Sequence, residues 1–376
     1  MVLNIKDLEL YVSIDGDNLN EGTLGKPLRT LEKAAQFIKN LNTNIDFNIC
    51  VYVREGLYYL ENPLEIYFEN SYPSNWQISF KAYPNENPVL SGAIKITDKW
   101  SHYKNGIMMC KITDYNEKHH DFNQLFVNGK SQILARYPKL NPSKESKSSY
   151  IFPQITELKW PHTYLKFDPV TFSDKRYSHP EEGVIHIFPT NYWGNLQWQI
   201  KDIDYEANTI SFGKGGFQIN DIMQGKDATG IDHNSKYYIE NIFEELDTPG
   251  EWYLDNRNGI LYVMPQKDID LNNALVEAPI LENLILLKGD QYRPLKNVSF
   301  IGFTITHTKT TFLKEYEAPS LGDWSIHRGG AVFIEGAEKC TIEDCTFDSI
   351  GGNALFMNNY SIISVYRIII TLFFSM

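Results

Sequence analysis

Cysteine is scarce in this 376-residue sequence. The four cysteines, at positions 50, 110, 340 and 345, have neither the spacing of a metal site nor the density of a disulfide scaffold. We therefore predict that the thiols are free. Cys340 and Cys345 fall on apolar positions of a repeat described below, where a cysteine is expected to act as a small buried hydrophobe.

Positive charge is also in short supply. The sequence has 35 Lys and Arg against 47 Asp and Glu, which gives a net charge of −12. An acidic surface repels phosphate backbones, and the sequence has no stripe of Lys and Arg interleaved with aromatic residues. These features argue against a nucleic-acid partner.

Long hydrophobic runs are missing as well. The N-terminus, residues 1–7, lacks the charged and apolar regions of a signal peptide. The apolar stretch at residues 362–374 is short and contains Arg367, so a buried final coil is a better interpretation than a membrane span. We expect no membrane association and a cytoplasmic location unless a leader is missing.

Aromatic residues, by contrast, are abundant at 14% of the chain. Flat rings offer an apolar face to a sugar, so this composition is compatible with carbohydrate recognition. Aromatic residues also favour strands, and on composition alone a β-rich core is the preferred explanation.

A repeat of 23 residues organises the C-terminal part of the chain. Ala331-Val332-Phe333-Ile334 matches Ala354-Leu355-Phe356-Met357 at this spacing. The same shift takes four apolar positions onto apolar positions: Cys340, Ile342, Cys345 and Phe347 onto Ile363, Val365, Ile368 and Ile370. An offset of 42 relates the first four to Val298, Phe300, Phe303 and Ile305. Short β-rich runs with this period predict an all-β fold, a parallel β-helix whose coils stack.

The N-terminal segment predicts a helix that covers the open end of the coils. Residues 28–39 place Leu31, Ala34, Ala35 and Ile38 on one face, with Thr30 as a cap. The preceding loop contains four oxygen-rich side chains, those of Asp15, Asp17, Asn18 and Asn20. We interpret it as a plain turn, and a calcium site is the weaker alternative.

The middle of the chain predicts an inserted antiparallel β-sandwich-like module. Asn128-Gly129 and Asn258-Gly259 each separate apolar runs, the strongest short hairpin signal. The predicted domains are residues 1–124 for the helix cap and first coils, 125–265 for the insert, and 266–376 for the resumed coils.

Several runs together resemble the right-handed parallel β-helix glycoside hydrolases. They are Tyr11-Val12-Ser13 with Gly16, Gly22-Thr23 and Pro27; Leu134–Pro138; Glu244–Asp255; and Gly322–Phe333. The resemblance implies a right-handed coil with an inserted β-sandwich and activity as a xylosidase, xylanase or fucosidase on plant cell-wall glycans. No cofactor is expected. Members of this group continue for several more coils, so we expect a C-terminally truncated product in which the second catalytic acid has been lost or must come from elsewhere.

Glycoside hydrolysis requires two carboxyl groups that flank the scissile bond. Asp348 is the first candidate, because it follows the inward Phe347 at a strand end beside Gly351-Gly352. The resemblance places a catalytic carboxylate in this part of the helix, although an Asp before a Gly turn is also a common turn former. Glu335 is the candidate second carboxylate, and Asp344, Asp323 and the insert are further sources.

The excursion at residues 309–328 predicts a binding loop, because long ordered loops on rigid scaffolds tend to carry function. In it, Trp324 would stack on a sugar, and Asp323, His327 and Arg328 would bond to hydroxyls. The structural alternative is that Trp324 pins the loop and Arg328 pairs with Asp323. Asn353, in the turn after Asp348, completes the predicted substrate-binding set.

Three functions follow from these observations. The first is a glycoside hydrolase-like protein with an oligo- or polysaccharide substrate. The second is a polysaccharide lyase, which needs Ca²⁺ or Arg/Lys beside a uronate and a base. The third is a non-catalytic glycan-binding β-helix, favoured by the missing second acid after Asp348.

Overall fold

A computed structural model describes residues 5–41, 45–67, 75–112, 122–141, 147–154, 163–190, 194–217, 231–317 and 326–371. These residues form many strands and, within the described ranges, a single α-helix, α1 (Leu31–Lys39). The all-β fold class predicted from the sequence is confirmed. Within the same ranges, no helix combines the length and the apolarity needed to cross a bilayer.

The strands in chain order are β1 (Ile5–Val12), β2 (Asp46–Val53), β3 (Gly56–Tyr59), β4 (Leu64–Tyr67), β5 (Gln77–Ala82), β6 (Pro88–Ser91), β7 (Ala93–Lys95), β8 (Ser101–Lys104), β9 (Ile107–Lys111), β10 (Phe126–Val127), β11 (Lys130–Ser131), β12 (Ile133–Leu134), β13 (Arg136–Tyr137), β14 (Tyr164–Lys166) and β15 (Val184–Phe188). They continue with β16 (Leu196–Asp204), β17 (Thr209–Gly215), β18 (Lys236–Glu240), β19 (Glu251–Asp255), β20 (Ile260–Val263), β21 (Val276–Pro279), β22 (Ile285–Lys288), β23 (Leu295–Lys296), β24 (Val298–Ile301), β25 (Thr304–Thr306), β26 (Val332–Glu335), β27 (Ala337–Asp348), β28 (Leu355–Asn358) and β29 (Ile362–Thr371). Short 3-10 helices span Lys147–Ser149, Pro180–Glu182 and Phe243–Glu245.

The chain divides into two compact units. The first, called the coil unit, comprises Met1–Ile94, Pro279–Thr310 and Gly329–Phe374. The second, called the insert unit, comprises Lys95–Ala278, Thr311–Arg328 and Ser375–Met376. The domain limits predicted from the sequence, at 1–124, 125–265 and 266–376, stay a prediction.

Parallel strands form three stacks in the coil unit. The first stack runs β1, β2, β5, β24 and the first half of β27, and the second runs β3, β6, β25 and the second half of β27. The third runs β4, β22, β26 and β28, while β29 pairs along β27. The chain visits the stacks in turn, so successive passes lie on one another. The handedness of the coil stays a prediction.

Strand pairing confirms both predicted offsets. Val332 pairs with Leu355 and Cys340 with Ile363, each 23 residues apart. Phe300 pairs with Ile342 and Ile305 with Phe347, each 42 apart. The corners repeat too, because the left-handed residues Asn297, Gly302 and His307 recur as Lys339, Asp344 and Ser349. The offset of 42 therefore relates the backbone bends of the two coils as well as their apolar side chains.

Inward apolar side chains fill the coil unit. Phe80 and Phe300, on neighbouring coils, are fully buried and stack with ring centroids 4.9 Å apart. Cys340 and Cys345 lie in the same core as free thiols, which confirms their predicted role. Each coil thus buries the inward face of the coil beside it.

Helix α1 uses the predicted face and cap. The Thr30 hydroxyl accepts a hydrogen bond from the Lys33 amide at 3.2 Å. The buried helix residues are Leu31, Ala34, Ala35 and Ile38, and they join the core of the coil unit. The helix begins at Leu31, later than the predicted residue 28, because Thr30 has the extended backbone typical of an N-cap.

The oxygen-rich loop before α1 uses its side chains to hold its own backbone. Asp17 accepts from the Leu19 amide, Asn18 accepts from the amides of Arg29 and Thr30, and Asn20 donates to the Pro27 carbonyl. These contacts support the turn interpretation. In the part of the chain that the structure describes, no cluster of three His, Cys, Asp or Glu could hold a metal ion.

The insert unit is largely antiparallel. A six-stranded sheet has the order β13-β18-β15-β16-β17-β14, and a five-stranded sheet has the order β12-β19-β20-β9-β8. Both predicted hairpins are confirmed, since β10 pairs with β11 around Asn128-Gly129 and β19 pairs with β20 around Asn258-Gly259. Asn128 and Gly129 both have positive φ, as a tight hairpin turn requires.

Candidate functional site

Asp348 is the last residue of β27 and lies in a row of polar residues on the second strand stack. Ser91, Thr306 and Asp348 occupy the same register position on three neighbouring strands. We call these three residues and the turns that follow them the Asp348 corner. Asp348 is the only one of these three residues that carries a carboxylate, so it differs in chemistry from Ser91 and Thr306.

Two members of this polar row, Ser91 and Thr306, are buried. Ser91 is inaccessible to solvent and its hydroxyl accepts a hydrogen bond from the Ala93 amide at 3.2 Å, while Thr306 is 6% exposed. Asp348 is half-buried, and the hydroxyl of Ser349 lies 3.5 Å from one of its carboxylate oxygens. The Asp348 carboxylate therefore lies in register with two buried residues, Ser91 and Thr306, and keeps access to solvent.

The turn after Asp348 is packed tightly on the preceding coil. The Gly351 amide donates to the Thr308 hydroxyl at 2.9 Å. A β-carbon at Gly351 would lie 2.4 Å from the Thr308 carbonyl oxygen, so no larger residue fits there without a shift. Ser349, at the start of the turn, has positive φ. The backbone around Asp348 is consequently fixed by its neighbours.

Asn353 closes the same turn. Its side-chain amide nitrogen donates to the Gly329 carbonyl at 2.8 Å, and its backbone carbonyl accepts from the Ala331 amide. Asn283 makes a similar bond to the Gly330 carbonyl at 2.6 Å. These bonds join the turns before three strands of the third stack. The structure thus gives Asn353 a turn-holding contact at the Asp348 corner, and its role in substrate binding stays a prediction.

Glu335 lies at a different corner of the coil. It ends β26 in the third stack, in register with Lys288 and Asn358, and Asn358 donates to its carboxylate at 2.8 Å. Asp348 is instead in register with Thr306 and Thr371. The twelve-residue strand β27, with a bend at Asp344, separates the two acids. The two candidate carboxylates share no register position.

The excursion at 309–328 has a defined neck in the insert unit. Glu317 and Ile326 exchange two backbone hydrogen bonds, of 2.8 and 2.7 Å. The Arg328 guanidinium forms an ion pair with Glu317, and the His327 ring lies 5.7 Å from that of Tyr316. Trp324 and Asp323 lie outside the described residues. Of the predicted binding residues in the loop, His327 and Arg328 are therefore placed together at the neck.

The buried His186 packs against Phe312, near the start of the excursion at 309–328. The Phe312 ring packs edge-on against His186 at 5.3 Å, and His186 also stacks on Tyr238 at 4.5 Å. Glu240 lies 2.8 Å from Nε2 of His186, and Asn195 lies 3.0 Å from Nδ1. This cluster could not be predicted from the sequence, because its members lie far apart along the chain.

The polar run Thr306-His307-Thr308 at the Asp348 corner was also not predicted from the sequence. All three residues are at most 8% exposed, which is unusual for polar side chains. The offset of 42 relates Thr306 to Asp348 and His307 to Ser349, so applying that offset to polar as well as apolar positions would have found them.

The core behind the Asp348 corner contains no reactive thiol. Burial raises the pKa of Cys340 to about 11 and also raises the pKa of Cys345, although backbone hydrogen bonds oppose the shift at Cys345. Since the thiolate is the nucleophilic form, both cysteines are chemically inert at neutral pH. The carboxylates are the groups through which this region could act.

No family model matches the sequence. Over 83 residues it is 39% identical to "Uncharacterized protein YwoF" of Bacillus subtilis (strain 168), an alignment that covers 22% of this chain and 15% of that protein. A solved structure titled "Glycoside hydrolase" has a TM-score of 0.73 and 22% identity, covering 92% of this chain and 63% of the other. "The complex structure of XylC with xylose" has a TM-score of 0.43 and 14% identity, covering 92% of this chain and 41% of the other. The chain therefore shares the fold of a structure titled glycoside hydrolase and spans less than two thirds of that structure's length.

Proposed function

We propose that this chain is a carbohydrate-active protein of glycoside hydrolase type that acts on plant cell-wall or related polysaccharides. The observation that carries the proposal is the half-buried carboxylate of Asp348, in register with the buried polar residues Ser91 and Thr306 on neighbouring strands. The shared fold with the structure titled glycoside hydrolase supports the same class. Because the chain spans 63% of that structure, the activity of the whole protein is part of the proposal.

The proposed chemistry uses two carboxyl groups. One protonates the oxygen of the leaving sugar, and the other either activates water or attacks the sugar directly. We assign Asp348 as one of the pair, since its backbone is held by the contacts of Gly351 and Asn353. Glu335 is the proposed second carboxyl. Asp323, Trp324, His327, Arg328 and Asn353 are the proposed substrate-binding residues.

A non-catalytic glycan-binding protein is the second candidate function. The hydrogen bond between Glu335 and Asn358 favours it, because that bond gives the Glu335 carboxylate a structural role. The separate register positions of Glu335 and Asp348 favour it too. In this case the polar corner would bind a glycan and leave it intact.

The test is to incubate the whole protein with a panel of xylans, arabinans and fucosylated glycans. We expect new reducing ends to accumulate with no ultraviolet absorbance from an unsaturated product. Unsaturated product would instead identify a lyase. Glycan binding with no new reducing ends would support the non-catalytic candidate and overturn the hydrolase proposal.

A further inference from the structure

A groove of about 690 Å³ lies in the coil unit, between helix α1 and the start of β4. Pockets for small molecules commonly have volumes of about 300–1,000 Å³. The groove contains none of the residues assigned to the proposed catalytic function. It is built wholly from residues 18–65.

One wall of the groove is the outer face of α1. Glu32, Gln36 and Lys39 lie four and then three residues apart, so they share one face of the helix. The opposite face, with Leu31 and Ile38, is buried in the core. The helix is thus held in place and presents polar side chains to the groove.

The other wall is the chain that leads into β4, from Asn62 to Glu65. Leu64 fixes this wall, because it is 1% exposed and its amide donates to the Leu284 carbonyl at 2.7 Å. Glu65 follows with an exposed side chain. Both walls are therefore anchored in the same core, so the groove is pre-formed.

The lining combines apolar surface, from Ala35, Pro63 and Leu64, with charged groups of both signs in equal number. It contains two carboxylates, Glu32 and Glu65, and two ammonium groups, Lys33 and Lys39. Amide groups, such as that of Gln36, add both donors and acceptors. Simple ions of either sign would meet like charges here. A ligand that is neutral and rich in hydroxyl groups can bond to both kinds of partner.

On the helix side of the groove, Glu32 is half-buried. Burial raises the pKa of the Glu32 carboxyl, and the like charge of Glu61 adds to the shift, while hydrogen bonds from the backbone and from Thr30 oppose it. Hydrogen bonds gain strength where water is partly excluded. The groove therefore offers a better site for a polar ligand than open surface does.

We propose that this groove binds a short neutral oligosaccharide, and that it does so independently of Asp348. This goes beyond the proposed catalytic function, since it assigns a second glycan-binding site to residues 18–65, in the N-terminal part of the chain. It does not require that the chain hydrolyse anything.

The test is isothermal titration calorimetry of the full chain with xylotriose, cellotriose and mannotriose, and with glycylglycine as a zwitterionic probe. Gln36→Trp places a large ring in the groove from an exposed helix position. We expect it to weaken binding of the preferred trisaccharide by about tenfold or more, and Glu65→Gln to weaken it several-fold. Leu19→Trp adds the same ring at a residue that is 93% exposed and outside the groove, and we expect it to leave affinity unchanged.

Three results would overturn this inference. One is trisaccharide binding that Gln36→Trp leaves unchanged while the variant keeps the melting temperature of the wild type, because the sugar would then bind elsewhere. Another is the absence of trisaccharide binding. The third is tighter binding of glycylglycine, which would assign the groove to zwitterions. Asp348→Asn separates this inference from the catalytic proposal, because it should abolish hydrolysis and leave binding in the groove unchanged.

Discussion

Asn358 donates a hydrogen bond of 2.8 Å to the carboxylate of Glu335, which lies 23 residues earlier on the neighbouring coil. The two residues are direct partners in the pairing of β26 with β28. The contact joins the ends of two successive passes through the third stack. It gives one of the candidate catalytic acids a role in coil stacking.

Replacing Asn358 by alanine should destabilise the protein. The lost bond has a charged acceptor but both side chains are partly exposed, so we expect the free energy of unfolding to fall by about 1 kcal/mol. Urea denaturation measures the change. Asn359→Ala is the matched control, since this neighbour is exposed and its backbone carbonyl, which accepts from Gly336, is kept. Equal losses in the two variants would contradict the assignment.

The Arg54–Glu86 pair should make stability depend on acid pH. Arg54 donates three hydrogen bonds of 2.7–2.9 Å to the Glu86 carboxylate, and these bonds lower the pKa of Glu86. The unfolded chain has the ordinary pKa of about 4.3. Because the folded-state pKa is the lower of the two, the stabilisation is complete above that pH and is lost as the pH falls through the folded-state value.

Glu86→Gln should therefore lower the free energy of unfolding at pH 7 by about 1 kcal/mol, a value discounted for the exposure of Arg54. The difference from the wild type should shrink below pH 4. Denaturation at a series of pH values measures it. Glu55→Gln, at the exposed neighbouring acid, is the matched control for the loss of one negative charge. A difference that grows on acidification would contradict the predicted sign.

The buried thiols should resist alkylation in the folded state. With a pKa of about 11, Cys340 is thiolate in only about one molecule in a thousand at pH 8. We expect iodoacetamide to label the half-buried Cys50 first and to label Cys340 and Cys345 only after denaturation. Peptide mass spectrometry locates the label. Equal labelling rates of Cys50 and Cys340 in the native protein would contradict the coil packing.

Truncation of an inward ring should be far more costly than truncation of an outward one. Phe300 is fully buried and stacks on Phe80, so Phe300→Ala should cost about 3–5 kcal/mol. Phe333 is half-buried and stacks on Phe356 at 6.0 Å on the outer face. We expect a loss of about 1–2 kcal/mol for Phe333→Ala. A reversed order of the two losses in urea denaturation would show that the faces are wrongly assigned.

The coil core was predictable because its inward positions require apolar residues on every pass. Phe300 and Ile342 share such a position, and their spacing alone predicted the pairing. The buried face of α1 was predictable for the same reason. A regular backbone places apolar side chains inward and polar side chains outward at fixed intervals, so the pattern can be read from the sequence.

The polar contacts of the candidate site were harder to predict. The bond from Gly351 to Thr308 and the burial of His307 depend on where residues with positive φ bend the chain. Ser349 is not of a residue type that favours positive φ, so its bend could not be predicted from the sequence. The separation of Glu335 from Asp348 follows from the same corners. Glu335 was named because no acid follows Asp348 in the sequence, and the strand stacks do not bring these two acids into register.

The most direct test of the account compares Asp348→Asn with Glu343→Gln in the release of reducing ends from the polysaccharide that the wild type cleaves best. Both variants remove one negative charge from β27, but Glu343 pairs with Ile301 in the first stack, away from the Asp348 corner. The account predicts a loss of about a thousandfold or more for Asp348→Asn, with Glu343→Gln within about twofold of the wild type. Unchanged release by a folded Asp348→Asn variant would contradict it.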